Sequence, residues 1–275
     1  MAYAADADSR DYVIAYEIHS GDDLPPDFCA SSTLDCFDAA LFLPRGDPHL
    51  FGRSSYPPML LALTADRLTI LPHPSAKERA HFLALERLCC IESGHVLLRG
   101  WLRFTGRDFD RTLFYNRRDA GPVEAFLGRI RATFLGISDA LGGVGISLGD
   151  PLDFKFRHAL EEELAPGEAV RAVLFRPVRD IEGALLRRRR RWPADLIALT
   201  SRRLLWITDL DGSGHAYYGS IARYAAVRNI ARMLRARERT KRILRVDFCC
   251  SEHPWEIPVA EEHHEAAAWF ETALG

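Results

Sequence analysis

Lysine is nearly missing from this chain. Of 36 basic residues only Lys77, Lys155 and Lys241 are lysines, so the positive charge is almost wholly guanidinium. No apolar run approaches the roughly 20 residues that a membrane-spanning helix needs. Met1-Ala2-Tyr3-Ala4-Ala5-Asp6 has neither a basic segment nor an apolar stretch, so it does not read as a secretion signal. The six cysteines (Cys29, Cys36, Cys89, Cys90, Cys249 and Cys250) form no C-x-x-C pair, which removes the usual zinc and dithiol patterns. The two vicinal pairs sit in apolar strand-like runs, and buried, reduced thiols are expected there. The ten histidines contain no H-E-x-x-H, and His263-His264 reads as a solvated pair. No lysine follows Gly142-Gly143-Val144-Gly145 at phosphate-loop spacing, and there is no G-x-S-x-G elbow. The expectation is a protein that is not an enzyme and holds no cofactor or metal.

What is present is a duplication. Residues 60–71 read Leu-Leu-Ala-Leu-Thr-Ala-Asp-Arg-Leu-Thr-Ile-Leu, and 196–207 read Leu-Ile-Ala-Leu-Thr-Ser-Arg-Arg-Leu-Leu-Trp-Ile. Six of these twelve positions are identical at a spacing of 136, about one small domain. Upstream, Leu41-Phe42-Leu43-Pro44 matches Leu174-Phe175-Arg176-Pro177. Downstream, Val123, Phe126, Leu127, Ile130 and Phe134 share one helix face, preceded by Asp119 and Pro122 and followed by Gly136. Ala266, Trp269, Phe270 and Ala273 repeat that stripe.

Between hairpin and helix lie short β-branched and aromatic runs bounded by Gly or Asp. In the first copy these are Phe82 to Ile91, closed by Glu92-Ser93-Gly94, then Val96 to Phe104 and Phe109 to Tyr115. In the second, residues 219–238 fit neither the helical nor the strand period well. The order predicts roughly seven antiparallel strands and one closing helix per copy, a mainly β fold with some α (α+β). At 48% hydrophobic and 27% charged, 275 residues suffice for two cores.

The twin hairpins and the aromatic closing helix resemble bacterial pleckstrin-homology-like (PH-like, GRAM-like) domains in tandem. The resemblance implies two PH-like antiparallel β-barrels, each closed by a C-terminal helix, with Phe126 or Trp269 plugging one mouth. It would place domain 1 at 24–135, behind an acidic extension at 1–23. A Gly-rich linker at 136–152 would follow, then domain 2 at 153–275. It also implies a binding scaffold without catalysis of its own.

Charge supplies the functional clue. The whole chain carries a formal −2, yet residues 171–245 hold eighteen Arg and one Lys against six acids, a net of +13. Residues 1–38 hold nine acids and one Arg, a net of −8. The densest element is Arg187, Arg188, Arg189, Arg190 and Arg191, followed by Trp192. In PH domains that bind inositol phospholipids, basic residues on the loop after the first strand grip phosphate. The resemblance would put Arg176, Arg179 and the Arg187–Arg191 run there, with Trp192 at headgroup depth. Guanidinium forks suit phosphate and carboxylate oxygens. The expected function is a non-catalytic binding or adaptor protein meeting a protein partner or the chain's other domain. Alternatives are peripheral binding to anionic phospholipid or another polyanion, nucleic acid included, and an enzyme of unknown type. The expected setting is the cytoplasm or the face of a membrane.

Overall fold

The structure is a computed structural model that describes residues 14–28, 37–45, 56–136, 154–165, 167–181, 190–210, 219–238, 241–259 and 263–273. The chain packs as two compact units. One comprises Met1–Arg87, Leu98–Trp101 and Thr112–Phe134; the other comprises Leu88–Leu97, Leu102–Arg111 and Leu135–Gly275. Most of the proposed Gly-rich linker at 136–152 lies outside the described residues.

The first unit is built on a five-stranded antiparallel sheet in the order β1-β2-β3-β4-β5: Tyr16–Ile18, Ala39–Leu43, Met59–Leu63, Arg67–Pro72 and His81–Ala84. Every residue of β2 and β3 is buried, so both faces of these strands are covered. One cover is a cluster of Ile18, Phe28, Phe42, Leu60 and Leu71. Helix α1 (Ala120–Leu135) buries Val123, Phe126, Leu127, Ile130 and Phe134, as their spacing requires. It ends at Gly136, whose φ of 65° is the left-handed conformation favoured after a last helical turn.

A seven-stranded sheet, most of whose residues belong to the second unit, runs in the order β8-β7-β6-β14-β13-β12-β9. In chain order its strands are β6 (Leu88–Val96), β7 (Arg99–Gly106), β8 (Phe109–Asn116), β9 (Val170–Arg176), β12 (Ala194–Thr200), β13 (Arg203–Asp209) and β14 (Gly219–Ala226). A two-stranded ribbon pairs β10 (Arg179–Ile181) with β11 (Arg190–Trp192). A three-stranded sheet follows: β15 (Ile230–Glu238), β16 (Lys241–Phe248) and β17 (Ser251–Val259). Ala267 and Phe270 of helix α3 (His264–Ala273) pack on its Leu244, Val246 and Ile257.

This architecture corrects the expected fold class. The sheets are open and none closes into a barrel. Closure needs the outer strands of a copy to share a ladder, but β6 uses its outer edge to pair with β14, from Gly219↔Val96 to Ala225↔Cys90. Gly219 is required there, since a Cβ would lie 2.2 Å from the His95 carbonyl oxygen. The helices number three among the described residues, not two closing ones: α2 (Phe154–Glu163) precedes β9. Trp269 plugs nothing. It is 70% exposed, and its neighbour Phe270 fills the core.

Smaller differences have local causes. Glu92-Ser93-Gly94 lies inside β6, and the turn comes at Leu97-Leu98, where Leu97 holds a φ of 52°. Residues 219–238 form two strands broken by a single 3-10 turn, Val227–Asn229, which explains why no one period fits them. The vicinal cysteines are not all reduced: Cys89 and Cys250 form a disulfide.

Candidate functional site

The β15–β16 hairpin is where chemistry departs from packing. Its register pairs Met233 with Val246, Arg235 with Leu244, and Arg237 with Arg242. Residues two apart on a strand, and residues directly opposite, share a face. On this face Met233, Leu244 and Val246 are core residues. Beyond them the same row continues as Arg235, Arg237 and Arg242, positions in phase with a hydrophobic core but filled by guanidinium. Together with Ala236 and Glu271 of α3 they line an open cleft of about 450 Å³.

Glu271 fixes the inner wall. Its carboxylate accepts from the Arg235 backbone N–H, and Arg235 Nε donates to Glu271 Oε2 at 3.1 Å. Arg235, Arg237, Arg242 and Glu271 thus line the cleft, and arginine stays charged throughout the working pH range. At the end of α3, Arg171 Nη1 donates to the Ala273 carbonyl at 3.3 Å, closing the helix terminus with a cation. The neighbouring arginines are differently placed. Arg232 and Arg245 both bind Asp247, at 2.5 and 2.8 Å. The Arg232 hydrogen bond, chiefly, holds the Asp247 carboxyl below the usual carboxylate range. The Glu271 carboxylate of the chain itself occupies one side of the cleft.

Of the residues singled out from sequence, Arg176 is the one whose side chain the structure describes, and it lies away from this cleft. Arg176 is buried; it donates to Asp195 and to the Pro258 carbonyl. Asp195 also accepts from Trp206 Nε1 at 3.1 Å and Thr208 Oγ1 at 2.7 Å, so Arg176 belongs to an internal polar cluster. Arg179 pairs with Trp192, and Asp180 with Arg191, in the β10–β11 ribbon, which Ile181↔Arg190 completes. Arg187, Arg188 and Arg189 lie outside the described residues. Sequence reasoning noted the basic excess over 171–245 but not which of its arginines converge. The usable signal was the alternation Met233, Arg235, Arg237, with arginine continuing an apolar row.

Among the described residues no group of three or more His, Cys, Asp or Glu is placed to hold a metal ion, and no helix is long and apolar enough to cross a membrane. The chain matches no known protein-family model, and no curated protein is recognisably similar to it in sequence.

Proposed function

We propose that this chain is a non-catalytic binding protein whose second unit receives an acidic segment of a partner protein in the Arg235–Arg237–Arg242 cleft. The observation that carries the reading is the change from apolar to arginine along one core-facing row, around a cleft already seating the Glu271 carboxylate. Arg235 and Arg242 are half-buried and Arg237 is exposed, at the end of a row whose other positions, Met233, Leu244 and Val246, are core residues. Surface carboxylates of a partner offer the same acceptor geometry as Glu271 and bring opposite charge. A cytoplasmic setting is part of the proposal.

Fluorescence anisotropy with a labelled oligoglutamate peptide tests it on the full chain. The expected result is saturable binding that weakens as salt rises. An Arg237→Ala/Arg242→Ala variant should lose about tenfold or more in affinity. Absence of binding, or binding that the double variant leaves unchanged, refutes the reading. Co-sedimentation with anionic but not neutral vesicles, without peptide binding, would move the assignment to a membrane surface.

A further inference from the structure

We propose that Cys89 and Cys250 are a redox modification site, a reversible thiol–disulfide couple that exchanges with small-molecule disulfides through Cys250. The two sulfurs are bonded across 161 residues of sequence, with Cα atoms 5.7 Å apart, inside the range that disulfides prefer. Their approach does not depend on the bond. Buried Asn229 donates from Nδ2 to the Leu88 carbonyl at 2.7 Å, and its own carbonyl accepts from the Cys249 N–H at 2.9 Å. One side chain and one peptide group thus hold β6 against the β16–β17 turn, and the reduced thiols stay face to face.

Access sets the order of events. Cys89 is fully buried, Cys250 is partly buried, and Cys249 beside it is exposed. The Cys250 thiolate attacks an incoming disulfide RSSR, forming Cys250–S–SR and releasing one RS⁻. The Cys89 thiol then passes its proton to the released RS⁻, attacks the Cys250 sulfur and expels the second RS⁻. Two protein thiols are oxidised, one RSSR is reduced to two RSH, and the protons lost by the cysteines end on the leaving thiols.

The full chain is equilibrated in glutathione buffers from reduced to oxidised, quenched with maleimide under denaturing conditions, and weighed intact. The expected outcome is a loss of two labelled thiols, mapping to Cys89 and Cys250, reversed by reduced glutathione. The oxidised form should melt about 10 °C higher, because a long loop is closed in the unfolded chain. Cys89→Ser should trap glutathione on Cys250. Full labelling of both cysteines in oxidised buffer, or linkage of Cys90 or Cys249 instead, overturns the assignment. So does a bond that no glutathione ratio reduces. The wild-type titration decides even where the Cys89→Ser variant does not fold.

Discussion

The hairpins at 60–71 and 196–207 share their turn and differ in what surrounds it. In both, a threonine hydroxyl lies close to the carbonyl of the arginine three residues on: Thr64 Oγ1 is 3.3 Å from Arg67 O, and Thr200 Oγ1 is 3.0 Å from Arg203 O. Both arginines sit opposite an alanine in the next strand, Ala84 and Ala226. Arg67 is exposed, whereas Arg203 is 2% exposed. The second hairpin is covered by the end of α2 and by Glu168. Arg203 Nε and Nη2 donate to the two Glu168 oxygens at 3.0 and 2.8 Å, and Nη2 also reaches the Glu163 carbonyl. Tyr224 lies beneath the guanidinium, 5.7 Å from ring centre to Cζ, and its hydroxyl donates to Glu163 at 2.8 Å. The arginine at one and the same position of the repeat is exposed in the first hairpin and is the centre of a buried ion cluster in the second.

The sharpest break of this comparison is Arg203→Ala beside Arg67→Ala, read by urea unfolding. Removing Arg203 leaves the Glu168 carboxylate buried without its cation and should cost about 3–5 kcal/mol. Removing Arg67 should change stability by no more than about 0.5 kcal/mol. Equal losses would mean that the cover over the second hairpin contributes nothing.

A second contrast lies one strand pair away. At matching register positions the first unit pairs Leu43 with Met59, and the second pairs Arg176 with Asp195. The Asp195→Ala variant strands a buried guanidinium and should lose about 3 kcal/mol or more. The double change Arg176→Leu/Asp195→Met imports the first unit's apolar pair. It should recover most of that loss, because a buried ion pair is often matched by apolar groups of similar volume. It would also leave Trp206 Nε1 and Thr208 Oγ1 short of an acceptor, so full recovery is not expected. If the double variant is as unstable as the single, Asp195 acts mainly on Trp206 and Thr208 rather than on Arg176.

These contrasts mark what sequence could and could not carry. Repetition and apolar period are local, so the twin hairpins and the buried face of α1 were legible from residues 60–71, 196–207 and 123–134. Sheet closure is decided by which strand meets β6, a long-range pairing with residues 219–225 that no local pattern encodes. The same limit hid the cleft. Arg176 and the arginine run stood out by density, but Arg235, Arg237 and Arg242 converge only because β15 and β16 pair in one register and α3 brings Glu271 alongside. The cysteines follow suit, since a partner 161 residues away leaves no trace in spacing.

The finest division concerns the threonines themselves. Neither turn carries the glycine or asparagine that two-residue hairpins favour, and neither needs positive φ, which among the described non-glycine residues occurs at Leu97. A hydroxyl holds each turn instead. Thr200 Oγ1 accepts from the backbone N–H groups of Arg202 and Arg203 at 3.1 and 2.9 Å and donates to Glu168 at 2.5 Å. The Thr200→Val variant leaves those buried groups unsatisfied and should cost about 2–3 kcal/mol. Thr64 donates to Asp66 at 2.9 Å in a setting that water can enter, so Thr64→Val should cost about 0.5–1 kcal/mol. Equal costs in paired urea titrations would show that the hydroxyl serves the turn alone. A gap of the expected size assigns the difference to Glu168, and so to the cover over the second hairpin.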